Sequence, residues 1–171
     1  SGHRLMIRLV KGAYWDSEIK RAQVEGQDDY PVFTRKVHTD ISYIACARKL
    51  LDARDAVFPQ FATHNANSLA AIELMAKRAG NSDYEFQRLH GMGVALYKAA
   101  GRERSVRIYA PVGAHKDLLA YLVRRLLENG ANSSFVHQLA DESVGLQELL
   151  ISPLRLEPHP SLPLPAHLFG N

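Results

Sequence analysis

The chain has 171 residues, 46% of them hydrophobic and 23% charged, with a formal net charge of +3, enough for one globular domain with a sizeable core. So small a charge, with Lys and Arg spread along the chain, gives no footprint for nucleic acid, no apolar run is long enough to span a membrane, and no signal-peptide pattern is present. The single cysteine, Cys46, excludes an internal disulfide framework and fits a reducing compartment; set among alanines in a helical run, it reads as a packed thiol rather than a nucleophile.

Ser1-Gly2-His3 has the look of an expression scar, and the chain then starts abruptly inside a strand, as a fragment would. The apolar run Leu5-Met6-Ile7 leads into Arg8-Leu9-Val10-Lys11-Gly12-Ala13-Tyr14-Trp15, and a helix-like run, Ser17–Gln23, follows. This is a strand, a glycine turn and a helix, with two cations and two aromatics at the position where α/β folds hold ligands. Past a polar turn around Gly26–Pro31, Thr34 is the expected N-cap of a long helix to about Arg54, with Val37, Ile41, Ile44, Ala45 and Leu51 at helical spacing.

A second strand, Ala56–Ala62, ends in Thr63-His64-Asn65; Asn67 or Ser68 should then cap Leu69–Ala79, with Gly80 as its C′ residue. A third strand, Tyr84–Leu89, ends in His90-Gly91-Met92-Gly93 and a short helix to about Ala100. A fourth, Val106–Ala110, ends in Pro111-Val112-Gly113, and a strong helix runs from about Lys116 to Asn129, stopped by Gly130. Strands alternating with helices imply parallel pairing with helical crossovers. Polar, glycine-bearing segments at the C-terminal end of each strand are the active-site edge of a (β/α)₈ barrel. The expected fold is therefore α/β, the C-terminal half of a distorted (β/α)₈ barrel with about four βα units over residues 1–151. An open doubly wound sheet is the alternative, lowered by the absence of a dinucleotide fingerprint after any strand. Residues 152–171 hold five of the eight prolines and read as an extended linker or surface arm.

Three groups of residues could carry chemistry. On the last helix, Leu118, Leu119, Leu122, Val123, Leu126 and Leu127 fill one arc, while Tyr121, Arg124, Arg125 and Glu128 fill the other. That polar arc is either a solvated face or, over a barrel mouth, a clamp in which two guanidiniums grip one carboxylate beside an aromatic wall. Thr63-His64-Asn65 offers either turn chemistry or hydrogen bonds to a cofactor. Arg8, an arginine among apolar strand residues, must point into something polar, such as a flavin edge, and Tyr109 would join the same mouth; Lys11 could instead form a Schiff base as in aldolases. The histidines are scattered without ligand spacing, so no metal is expected.

Together, Arg8–Lys20, Phe61-Ala62-Thr63-His64-Asn65, Leu89-His90-Gly91-Met92-Gly93, Arg107-Ile108-Tyr109-Ala110-Pro111-Val112-Gly113 and Tyr121–Asn132 resemble the proline dehydrogenase family. More closely, they resemble its barrel domain in the bacterial bifunctional proline utilization A (PutA) flavoenzymes. The tail Leu162–Gly170 is similar to the linker that leads, in those enzymes, into an aldehyde dehydrogenase domain. The resemblance covers nearly the whole chain, in order.

It implies FAD as cofactor and oxidation of L-proline to Δ1-pyrroline-5-carboxylate, with hydride passing from proline C5 to flavin N5. Arg8 would approach N5 as the catalytic residue. Val10, Lys11, Gly12, Ala13, Trp15, Thr34, Ala62, Thr63, His64 and Asn65 would hold the cofactor. Arg124 and Arg125 would bind the proline carboxylate, Leu89, Tyr109 and Tyr121 would enclose the ring, and Glu128 would orient an arginine. The resemblance further implies a cytoplasmic protein that could sit peripherally at the bacterial inner membrane, with a membrane quinone as electron acceptor. The first barrel half, with a lysine, an aspartate and a glutamine of the family's site, is absent, and Val94 stands where relatives are expected to carry an acidic residue. An isolated 171-residue chain would on that account be inactive. The remaining alternatives are an aldolase-like barrel using Lys11 and a non-catalytic folding or interaction fragment.

Overall fold

A computed structural model describes residues 2–101, 105–130, 143, 145, 147, 151–152, 154 and 162–168. In chain order the elements are β1 (Leu5–Leu9), α1 (Trp15–Glu25), α2 (Lys36–Asp52), β2 (Val57–Ala62), α3 (Ala66–Ala79), β3 (Glu85–Leu89), α4 (Val94–Ala100), β4 (Val106–Tyr109) and α5 (His115–Gly130), followed by a 3₁₀ turn at Pro165–His167. They divide into two compact units, residues 1–10 with 44–151, and residues 11–43 with 152–171.

The first unit is built on a four-stranded parallel sheet in the order β1-β2-β3-β4. Each strand lies beside the next one in sequence, so the sheet advances in one direction as a barrel wall does. A doubly wound sheet would reverse at a switch point, and that alternative is removed. The register sorts the strands into two faces. Leu9, Phe61, Phe86 and Val106 form one cross-strand row, and Arg8, Gln60 and Glu85 form the adjacent one on the opposite face. Phe61 and Phe86 are fully buried, as are Ile72 of α3 and Ala47 and Leu51 of α2. Phe61, Tyr84, Phe86 and Tyr97 form an aromatic cluster with ring centroids 5.6–6.3 Å apart, in edge-on and tilted pairs. Among the described residues β1 pairs only with β2, and its Leu5 and Met6 are 70% and 60% exposed.

Helix ends refine the sequence expectations. α3 starts at Ala66, and its cap is Asn65 rather than Asn67 or Ser68. Asn65 is extended, and its side chain accepts the Ser68 N–H at 2.9 Å. Gly80 closes α3 in the left-handed conformation, φ 61°. α2 starts at Lys36, and the Arg35 carbonyl takes the N–H groups of His38 and Thr39, so Thr34 precedes the helix and does not cap it. Cys46 is exposed, not packed: Tyr43, Ala47 and Leu51 form the buried stripe of α2 at four-residue spacing, and Cys46 lies one residue off it.

The second unit gathers α1, the segment that follows it and part of the C-terminal arm. Ile19 and Ala22 of α1 are buried, and Gly26 ends the helix in the left-handed conformation. The Pro165–His167 turn packs against α1 with Pro165 buried. The Tyr30 hydroxyl accepts from Gln23 Nε2 and donates to the Pro163 carbonyl at 2.8 Å. Most of the proline-rich arm lies outside the described residues.

Replacing Phe61 by Ala removes a fully buried ring of the aromatic cluster. The expected cost is about 3–5 kcal/mol of unfolding free energy, read as a lowered urea midpoint for the protein that carries this unit.

Candidate functional site

Because the sheet is parallel, the segments after β1, β2, β3 and β4 emerge at one edge. Arg8 stands near the end of β1. Its Nε donates to Gln87 Oε1 at 2.7 Å, and its guanidinium lies 4.9 Å from the Tyr109 ring centroid. The hydrogen bond fixes one edge of the guanidinium and the ring fixes its plane, so the terminal nitrogens are presented in one orientation.

Behind Arg8 lies a continuous polar network on the face of the sheet opposite the aromatic cluster. Glu85 Oε1 accepts from Arg107 Nε at 2.6 Å, Gln60 Nε2 at 2.7 Å and Gln87 Nε2 at 2.8 Å, while Oε2 accepts from Arg107 Nη2 at 2.9 Å. The Glu85 side chain is 4% exposed and that of Arg107 56%, so a buried carboxylate is met by a half-solvated, bidentate cation. The Arg107 hydrogen bonds, aided by those of Gln87 and Gln60, hold Glu85 below the usual carboxylate range against the cost of burial.

The segments after β2 and β3 are locked to each other. The Leu89 N–H donates to His64 Nε2 at 3.1 Å, which puts the proton of the neutral ring on Nδ1. Burial, with the nearby charges of Arg125 and Arg88 adding to it, pushes the His64 pKa down. The Tyr97 hydroxyl of α4 donates to the Thr63 carbonyl at 2.9 Å. Gly93 sits at φ 67°, where a Cβ would come within 3.1 Å of His64 Cδ2, so glycine is required both by conformation and by the ring beside it. Thr63 Oγ1 accepts the Asn65 N–H and Asn65 Oδ1 caps α3, so both perform the turn chemistry expected of their types. Arg88 closes the turn after β3 by donating to the Met92 carbonyl at 3.1 Å.

α5 reverses the usual amphipathic order. Leu118, Tyr121, Arg124 and Arg125 are half-buried, whereas Leu119, Leu122, Val123, Leu126 and Leu127 are exposed, the last two to 71% and 66%. The apolar arc is thus the exposed one except for Leu118, and the arginine arc is the more sheltered one. The Arg125 guanidinium lies 5.3 Å from the Tyr121 ring centroid and bears electrostatically on His64. The structure therefore brings Arg8 to Tyr109, Arg125 to Tyr121 and His64, and His64 to Leu89. Ala62 ends β2 and Val10 directly follows β1, both in the same unit. Glu128 lies on α5, with its side chain outside the described residues.

Lys11, Gly12, Ala13, Trp15 and Thr34 belong to the second unit. Gly12 takes φ 92°, the turn that the strand-to-helix reading required. Lys11 Nζ forms an ion pair with Asp40, which Lys36 also contacts, and lies 5.4 Å from the Tyr43 ring centroid. Burial lowers the Lys11 pKa and the Asp40 hydrogen bond partly offsets that. Burial raises that of Asp40, and the two lysines together outweigh it, so the carboxyl stays below its ordinary value. Lys11 is thus a partnered cation rather than an open amine nucleophile. Trp15 Nε1 donates to the Phe33 carbonyl at 2.7 Å, which ties the indole to the residue before Thr34.

Sequence reasoning missed Gln60, Glu85, Gln87, Arg107, Tyr97 and Asp40. A signal for two of them, Glu85 and Gln87, existed in the alternation of β3: Glu85, Gln87 and Leu89 on one face, Phe86 and Arg88 on the other. Among the described residues no group of His, Cys, Asp and Glu could hold a metal.

Residues 1–138 match the proline dehydrogenase family. The whole chain is 56% identical to bifunctional protein PutA of Klebsiella aerogenes, of which it covers 15%, and equally identical to that of Escherichia coli K12, of which it covers 14%. It therefore spans about a seventh of these relatives. Over 75% of its length it is 32% identical to proline dehydrogenase 2 of Bacillus subtilis, covering 39% of that protein. A crystal structure of a Bradyrhizobium japonicum proline utilization A mutant superposes on 98% of the chain with a TM-score of 0.89 and 58% identity, using 18% of its own length. These likenesses hold through the strands and loops that carry Arg8, His64, Tyr109 and Arg125, and the chain belongs to the proline dehydrogenase family.

Proposed function

We propose that this segment supplies the C-terminal half of an FAD-binding barrel that oxidises L-proline to Δ1-pyrroline-5-carboxylate. The observation that carries the reading is the inverted face of α5. α5 holds Tyr121, Arg124 and Arg125 half-buried on one side, with the Arg125 guanidinium over the Tyr121 ring, and a proline carboxylate suits two adjacent guanidiniums beside an aromatic wall.

The donor set at the sheet edge fits FAD. The guanidinium of Arg8 offers a fixed cation to an electron-rich ring, and the Nδ1–H of neutral His64 offers a donor to a phosphate or hydroxyl oxygen. Bound FAD would supply the two-electron acceptor for the C5 hydride. In the same conversion the proline nitrogen gives up its proton and the C=N bond forms. Arg124 and Arg125 fix the substrate by its carboxylate, Leu89, Tyr109 and Tyr121 wall its ring against water, and Glu128 orients an arginine of the clamp. Arg8 holds positive charge where negative charge grows. Val10, Ala62, Thr63, His64 and Asn65 of the first unit hold the cofactor in this reading, and Lys11, Gly12, Ala13, Trp15 and Thr34 are assigned to it on the family resemblance alone.

Residues 1–151 form the barrel half in this reading and 152–171 the linker toward an aldehyde dehydrogenase domain. On the family resemblance, the electron acceptor after FAD is a membrane quinone, reached from the cytoplasm by peripheral contact; no helix among the described residues is long and apolar enough to cross a bilayer.

The protein that carries this segment together with the preceding barrel strands should bind FAD, and its visible flavin absorbance should bleach when L-proline is added anaerobically; a flavin-free protein or an unbleached one overturns the reading. N-propargylglycine, which inactivates the Bdellovibrio bacteriovorus relative, should inactivate it too. Arg124→Met and Arg125→Met should each raise KM for proline about 10–100-fold, the loss of about 1.5–3 kcal/mol of charge-assisted contact; unchanged KM in both shows a solvated face. ¹⁵N NMR should find His64 as the Nδ1–H tautomer with a pKa below the ordinary histidine value. Because the folded state binds this proton less readily than the unfolded state, His64 costs stability as pH falls below about 6.5 and costs none above it.

A further inference from the structure

We propose that Glu85 is a positioning residue for Arg8, acting through the amide of Gln87; the inference rests on the proline oxidation proposed above. Arg8 lies on β1, and its long, four-torsion side chain would sample many rotamers unless held. What holds it is the pair of contacts already described, Gln87 Oε1 at Nε and the Tyr109 ring beneath the plane.

A glutamine amide can present either end, and only its oxygen can serve Arg8, which has donors alone. Glu85 decides between the two. Its carboxylate is acceptor-only, so Gln87 must turn its Nε2 toward Glu85 Oε1 and thereby its Oε1 toward Arg8. The carboxylate is in turn kept in place by the two-pronged Arg107 contact from β4 and by Gln60 from β2. The order runs from Arg107 and Gln60 through Glu85 and Gln87 to Arg8, across all four strands. Were Glu85 an amide, Gln87 could rotate, set its NH₂ against the Arg8 Nε–H, and release the guanidinium.

The test uses the FAD-loaded protein that carries the complete barrel, with Glu85→Gln, Gln87→Met and the double variant. Glu85→Gln should retain FAD stoichiometry and a KM for proline within about twofold, and lower kcat about tenfold. It should shift the flavin midpoint potential to more negative values, since a cation fixed beside the ring favours the reduced form. Gln87→Met should do the same, and the double variant should be no worse than the more severe single one, as expected for residues acting in series. A lowered melting temperature with kcat and midpoint potential at wild-type values makes the network structural only and overturns the proposal, as do additive losses in the double variant. If Glu85→Gln fails to fold, Gln87→Met decides alone, because it leaves the Glu85 contacts with Arg107 and Gln60 in place. A wild-type protein that neither holds FAD nor oxidises proline overturns the proposed function itself, and is recognised before any variant is compared.

Discussion

The Glu85 carboxylate is the constraint on which the arrangement of the first unit turns. A buried carboxylate is costly unless its lone pairs are filled, and here one oxygen takes three donors and the other takes one. Those donors come from β2, β3 and β4, and Gln87 carries the chain of contacts on to β1. Four strands that share a backbone ladder on their edges thus share a side-chain network on one face. The opposite face is apolar and aromatic, so the sheet has a packed side that stabilises it and a polar side that organises charge.

The same division recurs at α5. A solitary amphipathic helix would bury Leu119, Leu122, Leu126 and Leu127 and hydrate Arg124 and Arg125. Here the guanidinium of Arg125 stacks on Tyr121 and its charge reaches His64 instead. With Arg8 and Arg88 on the same unit, the strand-end edge concentrates cations. His64 belongs to this balance. Burial, and after it its cationic neighbours Arg125 and Arg88, favour the uncharged ring, so it contributes a donor without a further positive charge.

The fold was largely legible because its signals are local. Alternating strand and helix periods, glycines at Gly80 and Gly12, and polar strand ends are written in short windows, and they led to four parallel βα units. Boundaries that depended on a few hydrogen bonds were not legible: Asn65 outcompeted Asn67 and Ser68 for the α3 cap because the chain stays extended through residue 65, and Arg35 rather than Thr34 opens α2. Cys46 was misjudged because alanine neighbours say that a helix is tolerated, not which side of it is covered.

At the candidate site, the sequence by itself determined the residue types and their order along the chain: the cation at Arg8, the Thr63-His64-Asn65 turn, and the adjacent arginines with an aromatic one turn before them. It also determined the family, since those motifs recur in order over nearly the whole chain. Only the tertiary structure decided what each group faces. Helical periodicity fixes which residues share an arc but not which arc turns inward, and a strand's alternation fixes two faces but not their partners. Glu85, Gln87 and Arg107 lie on separate strands or two residues apart, and they acquire their meaning from a register of Gln60 with Glu85 and Gln87 with Arg107 that no single window of sequence contains.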